Sequence, residues 1–463
     1  MSAARLVSAG GHLKRYGLAA GGPLASAAAQ FVLALVLIAR VEPSQFGRFS
    51  FLMVLSQFAL ALWSALFSAP LLVAVASGGP GRADARAILQ TSALASGPVA
   101  LASAVLAYMG EADAGAAAIY ALFVALLLAR QVARTRALGS GAVTAVARSD
   151  SVYALAIFLG AGVFFVRAPQ AFGMIFLPLL VGVVLALLPV ARLLRAPGPA
   201  WTTGKDAGAV LPQSLATGRH PPVGRDTPAG RAPQHWAAGA LASLRDYRAV
   251  WRRDSRWSVL GVVSTEMTVN SHAYALTMLA GPAAFAPIAA AGLFIRPVSV
   301  LVNALNEFER ARFARVIHSG QTARLWHERR AFLAVLGMAW ACTLGAALCV
   351  LFLAPELGSL ARYDRSELSI AVMLWFAVVL ARCMHTPDGA LFQAQGQFRM
   401  LAGISIWTAA LSLAGVLAGL FVLGPVWSLL GILAGEGAYA LVLVSRGRKA
   451  TRRLVQNAQQ ASS

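Results

Sequence analysis

One segment of the chain places polar side chains at helical spacing inside an otherwise apolar sequence. It is the predicted helix over 284–309, whose polar residues recur every three or four positions and so share one face: Arg296, Ser299, Asn303, Asn306 and Arg310. Arg296 lies about 13 residues, or roughly 20 Å at 1.5 Å per residue, from the outer end of this helix. A charge at that depth in lipid requires water or a partner. The pattern therefore predicts a cavity that attracts anions.

The preceding helix, predicted over 257–279, offers Arg296 a partner. Glu266 and Asn270 share a face of this helix, at a depth similar to that of Arg296. One interpretation is a structural Glu266–Arg296 ion pair. The other is functional: Arg296 attracts an anionic substrate while Glu266 takes up or releases a proton. His272 is a second candidate for coupling, and its alternative is a histidine that packs between helices.

Further candidates for the cavity lie elsewhere in the chain. Gln30 and Gln57 either line the cavity or hold neighbouring helices together. Arg130 and Arg134 are one helical turn apart, where they either meet phosphate or form an ordinary basic cluster on the cytoplasmic side. Arg382, in a later helix, is a weaker candidate for the same role.

The composition places all these residues in a membrane protein. Of the 463 residues, 58% are hydrophobic and 12% are charged, whereas about 25% are charged in soluble domains. Apolar runs of about 20 residues recur, which is the length that spans a bilayer. The three cysteines form no pattern that indicates a disulfide or a metal site. Motifs for nucleotide binding or hydrolysis are not found either.

The apolar runs predict an all-α polytopic protein with twelve transmembrane helices. They are expected at 17–39, 46–76, 87–109, 116–137, 150–167, 171–194, 257–279, 284–309, 331–354, 369–388, 400–422 and 425–445. If both termini are cytoplasmic, most of the 39 Lys and Arg residues fall on the cytoplasmic side. That bias accounts for most of the net charge of +21 without nucleic acid.

The polar stretch 195–256 divides the chain into an N-terminal six-helix lobe (1–194) and a C-terminal one (257–446), followed by a basic tail (447–463). Its first part is rich in Pro, Gly and Arg and is expected to be disordered. Its second part repeats apolar residues at helical spacing beside several arginines: Trp236, Ala240, Leu244, Tyr247 and Trp251. This pattern indicates an interfacial helix on an anionic inner leaflet; the alternative is an ordinary solvated linker.

A short motif occurs at the same place in both lobes. Pro43 and Phe46 lie between the first and second helix, and Pro282 and Phe285 lie between the seventh and eighth. The repetition, together with the equal helix count, predicts duplication of a six-helix unit. Because six is even, the copies should be related by an axis along the membrane normal. Two such bundles enclose a cavity between them.

Three stretches resemble the polysaccharide/oligosaccharide flippases, the Wzx-like branch of the MOP exporter superfamily to which the MATE-like proteins also belong. They are ARVEPSQFGRFSFLMVLSQFALALWSALFSAPLLVAVAS, AGPAAFAPIAAAGLFIRPVSVLVNALNEFERARFARV and VLARCMHTPDGALFQAQGQFRMLAGISIWTAALSLAGVLAGL. The resemblance implies two lobes that alternate access to a cationic cavity holding a diphosphate. Arg296 matches best, and Arg130, Arg134 and Arg382 match less well. The first helix has no carboxylate, unlike the proton-linked drug exporters of the superfamily.

The expected function is flipping of a polyprenyl-diphosphate-linked oligosaccharide across the bacterial inner membrane for exopolysaccharide or O-antigen assembly. The alternatives are a MATE-like exporter of another substrate, an O-antigen polymerase or ligase, and a non-transporting scaffold. The expected partners are the lipid-linked oligosaccharide and membrane lipids, with glycosyltransferases or a polysaccharide polymerase as candidates and no nucleic acid. No cofactor is expected, and coupling to protons or sodium ions is left open.

Overall fold

The computed structural model describes residues 22, 24–76, 81–110, 112–140, 142–195, 236–318, 325–353 and 362–462. Regular structure in these ranges is helical throughout. The first half contains α1 (Leu24–Arg40), α2 (Pro43–Trp63), α3 (Ala69–Ala76), α4 (Gly81–Met109), α5 (Ala114–Gly139), α6 (Val143–Val166) and α7 (Leu177–Arg195). The second contains α8 (Trp236–Val250), α9 (Arg256–Leu279), α10 (Pro282–His318), α11 (Leu325–Leu353), α12 (Arg365–Ala394), α13 (Phe398–Val422) and α14 (Leu429–Ser462).

Ten of the described helical segments are long and apolar enough to cross a membrane. Helices also occupy the two remaining predicted positions. Of these, α1 is apolar but shorter, and α9 has sufficient length but interrupts its apolar residues with polar ones such as Glu266, Asn270 and His272. The all-helical membrane fold is thus confirmed, and α9, from which a coupling residue was predicted, carries polar side chains among its apolar ones.

Several helices extend beyond their predicted ends. Helix α12 runs to Ala394 although Pro387 lies inside it, and α14 continues to Ser462 through the residues expected to form the tail. Proline removes one backbone hydrogen bond but does not end a helix that tertiary packing supports. The first part of the linker, 196–235, lies outside the described residues.

The helices form two groups. In lobe 1 (α1–α7), α5 packs against α4 and α7, and α6 packs against α7; in lobe 2 (α9–α14), α12 packs against α10 and α14, and α13 packs against α9 and α14. The two lobes meet along α2, which contacts α9 and α10. The rings of Phe51 and Phe58 in α2 lie 6.1 and 6.4 Å from the ring of Tyr274 in α9.

The two copies of the Pro-x-x-Phe motif meet at this seam. Pro43 and Pro282 are the first residues of α2 and α10, where proline needs no backbone hydrogen bond. Phe46 and Phe285 are both buried. Gly47 faces the carbonyl oxygen of Pro282 so closely that a Cβ at position 47 would clash with it. The motif therefore recurs because both copies begin a seam helix.

Helix α8 connects the two lobes. It continues through a π-helical turn (Trp251–Ser255) into α9 of lobe 2, while it packs against α4 of lobe 1. A second π-helical turn, Ser64–Ser68, joins α2 to α3, and the two turns contact each other. Tyr247, one of the apolar residues of the predicted interfacial helix, is buried in the protein, and its hydroxyl donates to the Leu66 carbonyl oxygen.

Candidate functional site

A polar pocket of about 260 Å³ lies within lobe 1. Helices α1, α2, α5 and α6 supply its walls. Four of the residues predicted from the sequence are among those that line it: Gln30, Gln57, Arg130 and Arg134. The structure thus brings together side chains that are separated by up to a hundred positions in the chain.

A carboxylate that the sequence analysis overlooked organises the basic end of this pocket. Asp150 lies in the second turn of α6, and its two oxygens pair with two arginines of α5. Arg130 Nη2 is 2.6 Å from Asp150 Oδ1, and Arg134 Nη2 is 3.0 Å from Asp150 Oδ2. Two guanidinium groups share one carboxylate, so the cluster keeps a formal charge of about +1.

The two arginines differ in how completely they are satisfied. Arg130 is buried, donates from Nε to Ser149 Oγ at 3.2 Å, and stacks over the Tyr153 ring at 4.5 Å. Arg134 is more exposed, and its Nε has no hydrogen-bond acceptor in the part of the chain that the structure describes. A buried N–H without an acceptor is unfavourable, so Arg134 is the member of the pair available for an anion.

Amides complete the polar lining. Gln30 donates from Nε2 to the Tyr153 hydroxyl at 3.2 Å, which joins α1 to α6. Gln57 is exposed, and within the described ranges its side chain has no hydrogen-bond partner. Guanidinium and amide donors converging on one pocket suit the oxygens of a phosphate and of sugar hydroxyls.

Lobe 2 holds the predicted coupling residue at the seam. Glu266 Oε1 accepts from Asn270 Nδ2 at 3.1 Å and from the Tyr274 hydroxyl at 2.6 Å. The Glu266–Arg296 ion pair, one of the two interpretations from the sequence, is not formed, because donors one and two turns along its own helix hold this carboxylate. Tyr274 also contacts the aromatic side chains of α2. Glu266 is therefore connected to lobe 1 through its hydrogen bond with Tyr274.

Arg296 is half-buried in α10, and among the described residues it has no ion-pair or hydrogen-bond partner. It does not line the lobe 1 pocket. Asn303 is exposed and Asn306 is half-buried further along the same helix. Arg296 therefore stays a predicted binding residue, separate from the Arg130–Arg134 cluster.

His272 has surroundings typical of a packing residue. Its ring is buried and lies 5.8 Å from the ring of Phe285 and 5.2 Å from that of Trp375. These contacts favour the second of the two sequence interpretations.

Arg382 belongs to a second cluster, within lobe 2. Its Nη2 lies 2.7 Å from Glu436 Oε1, and His385 Nε2 lies 2.9 Å from Glu436 Oε2. The His385 ring packs edge-on against Tyr439 at 4.8 Å. Glu436 thus neutralises the arginine that was predicted to bind substrate.

No local pattern in the sequence signals this pairing, because Glu436 lies 54 positions after Arg382. The tripeptide Leu-Ala-Arg occurs in the fourth predicted span of each lobe, at 128–130 and 380–382, but it also occurs at 360–362, outside the predicted spans. Another ion pair, Arg329 with Asp388, has Nε–Oδ1 and Nη2–Oδ2 distances of 2.7 and 2.8 Å. Its partners lie 59 positions apart, so it has no local signal either.

The comparisons place the chain by its fold. No protein-family model matches the sequence, and no curated protein does. Among solved structures, the inward-facing conformation of a multidrug resistance MATE family transporter of the MOP superfamily has a TM-score of 0.62 at 13% identity, over 95% of this chain and 99% of the other. The outward-facing conformation of a multidrug resistance MATE family transporter of the MOP superfamily has a TM-score of 0.53 at 14% identity, over 96% of each chain.

A third similar structure is a MOP superfamily transporter from Pyrococcus furiosus, described as having a binding pocket of reverse polarity that suggests a different function. Its TM-score is 0.55 at 14% identity, over 95% of this chain and 96% of the other. These likenesses confirm the predicted MATE-like fold. The Wzx-like branch stays a prediction.

Proposed function

We propose that this protein is a MOP-type transporter that flips a polyprenyl-diphosphate-linked oligosaccharide across the bacterial inner membrane. The observation that carries the proposal is the lobe 1 pocket, where Arg130 and Arg134 share the single carboxylate of Asp150. The surplus positive charge and the unsatisfied Nε of Arg134 suit a diphosphate.

The charge of the pocket argues against a cationic drug as the cargo. A cation would be repelled by the surplus arginine, and the described helix α1 carries no carboxylate to attract it. The Pyrococcus furiosus protein, described as having a pocket of reverse polarity, supports the view that this fold accommodates more than one kind of cargo.

The arrangement of the lobes supports a transport cycle. The diphosphate and sugars occupy the polar interior while the polyprenyl chain stays among the lipid tails, because neither end tolerates the other's environment. Movement of lobe 1 against lobe 2 changes the contacts along α2. Glu266 lies at this seam through Tyr274, so a change in its protonation would alter a contact that the movement breaks.

A matched pair of substitutions on α5 tests this function. Arg134→Gln removes the surplus charge, and Arg136→Gln removes a charge of the same kind two residues away, outside the pocket lining. Flipping of a fluorescent polyprenyl-diphosphate oligosaccharide is measured in proteoliposomes. We expect Arg134→Gln to reduce the rate about tenfold, the equivalent of about 1.4 kcal/mol, and Arg136→Gln to leave it near the wild-type value.

Equal flipping rates for wild type and Arg134→Gln would remove the lobe 1 pocket from the mechanism. If the wild type and both variants are folded but none of them flips this lipid, the proposed cargo is excluded.

The second candidate is an exporter of another substrate, and Glu266 favours it. A half-buried carboxylate at the seam, held by an amide and a phenol, suits a proton-coupled exporter of any cargo. Transport of small anionic compounds by the same proteoliposomes, without flipping of the lipid-linked oligosaccharide, would favour it. The MOP-type fold supports either transporter over a polymerase, a ligase or a scaffold.

A further inference from the structure

Helix α8 has one face buried against lobe 1. Its Ser243, Tyr247 and Val250 are buried. Ser243 Oγ donates to Gln90 Oε1 at 2.5 Å, and the Tyr247 hydroxyl donates to the Leu66 carbonyl oxygen at 2.7 Å. This face is therefore occupied, and its partners fix the orientation of the helix.

The opposite face combines exposed apolar and basic side chains. Leu244 is 46% exposed and Trp251 is 36% exposed. Three exposed arginines lie beside them, with no ion-pair partner in the described part of the chain: Arg245, Arg248 and Arg252. Among the side chains that the structure describes in this segment, the one exposed acidic residue is Asp246, so the three arginines leave a positive charge. A large apolar side chain flanked by arginines is the composition of a helix that lies at a lipid surface.

Two contacts place α8 near one end of each of two candidate membrane spans. The Thr91 hydroxyl donates to the Ser243 carbonyl oxygen, and Thr91 lies about 9 Å, at 1.5 Å per residue, from Ala85, where its span begins. The Leu66 carbonyl oxygen accepts from Tyr247, and Leu66 lies about 7.5 Å from Leu71, where its span ends. Tryptophan is enriched where the ends of spans meet the lipid headgroups, which suits the exposed Trp251.

We propose that this exposed face of α8, formed by Leu244, Trp251 and the three arginines, binds the headgroups of anionic phospholipids. Complementary charge selects anionic over zwitterionic lipid, and the predicted cytoplasmic side is where anionic lipid attracts basic segments. The inference is independent of the proposed cargo, because no residue of this face lines the lobe 1 pocket.

Lipid bound there acts on the joint between the lobes. Helix α8 is docked on lobe 1 and continues into α9 of lobe 2 through the turn Trp251–Ser255. Ser255 Oγ also donates to the Leu66 carbonyl oxygen, at 3.1 Å. Anionic lipid that holds α8 against lobe 1 therefore stabilises the turn about which α9 would move.

Hydrogen exchange in nanodiscs tests the proposal on the full-length protein. Exchange of the amides of residues 242–256 is compared in phosphatidylcholine alone and with phosphatidylglycerol added. The variant is Arg245→Gln/Arg248→Gln/Arg252→Gln. The matched control removes three exposed charges elsewhere, as Arg399→Gln/Arg446→Gln/Lys449→Gln.

We expect phosphatidylglycerol to slow exchange of this segment several-fold in the wild type and in the control, and to have no effect in the α8 variant. About 1 M salt should abolish the effect in the wild type, because it screens charges beyond about 3 Å. Equal exchange in both lipids, or equal slowing in the α8 variant, would overturn the proposal. Slowing that persists at high salt would also overturn it.

Discussion

Each lobe has an arginine in its fourth predicted span, Arg130 in lobe 1 and Arg382 in lobe 2, and the two lobes neutralise it differently. In lobe 1, Asp150 of the next helix is shared by Arg130 and Arg134. In lobe 2, Glu436 of the last helix serves Arg382, with His385 as its second partner. One helical turn after Arg382 the chain has Thr386, where lobe 1 has its second arginine.

The two clusters differ in the charge that they keep. In lobe 2, one carboxylate serves one arginine, so the cluster ties two helices together. In lobe 1, one carboxylate serves two arginines that line a pocket, so a surplus positive charge remains there. Thr386 in lobe 2 and Arg134 in lobe 1, each one helical turn after the first arginine, account for this difference.

The largest expected effect is that of Asp150→Asn in lobe 1. Both arginines would lose their counter-charge inside the lobe, and breaking a buried ion pair in this way costs about 3–5 kcal/mol. Thermal unfolding in detergent, followed by intrinsic fluorescence, should show a large destabilisation. Arg134→Gln is the control, since it leaves Asp150 paired with Arg130. Similar unfolding temperatures for Asp150→Asn and wild type would contradict the shared-carboxylate description.

Arg382→Gln should produce the opposite pattern to Arg134→Gln. It removes a charged hydrogen bond to Glu436, worth about 1.5–3 kcal/mol, while His385 still contacts the carboxylate. We expect a lower unfolding temperature. In the flipping assay, we expect the rate per folded molecule to stay within about twofold of the wild-type rate, which corresponds to a change of about 0.4 kcal/mol in the barrier. A tenfold loss of transport with unchanged stability would give lobe 2 the binding role instead.

The seam offers a third comparison, between Gly47 and its counterpart Ala286. Each follows the phenylalanine of a Pro-x-x-Phe copy, but only position 47 faces the Pro282 carbonyl. Gly47→Ala should cost about 1–3 kcal/mol through overpacking, measured as a lower unfolding temperature.

The double variant Gly47→Ala/Ala286→Gly is the control for this clash. It should not recover stability, because the obstructing atom belongs to the backbone of Pro282. Full recovery would show that the contact between the two Cβ atoms, 3.3 Å apart for an alanine at 47, was the actual obstacle.

Local patterns predicted the helices and the repeated motif well. Apolar runs predict membrane spans because lipid cannot hydrogen-bond to the backbone, so each spanning helix must form its backbone hydrogen bonds within one contiguous segment. The assignment of α8 as amphipathic was also local. The pattern did not show that Tyr247 is buried, because the Leu66 carbonyl oxygen that accepts its hydroxyl lies 181 positions away in the chain.

The candidate site was also predicted only in part. Gln30, Gln57, Arg130 and Arg134 were identified as polar residues in apolar helices, and the structure gathers them at one pocket. Of the two interpretations of Glu266 and Arg296, the structural ion pair is not formed. Equal depth in a bilayer does not fix the direction in which a side chain points, and donors on α9 already satisfy Glu266.

Local composition and short-range periodicity were enough to predict a helical membrane protein with two comparable halves and an excess of basic residues. Which arginines are neutralised depends on how the helices pack. Their carboxylates come from helices 20 and 54 positions away, and the balance between desolvation and pairing depends on distances that no local pattern encodes.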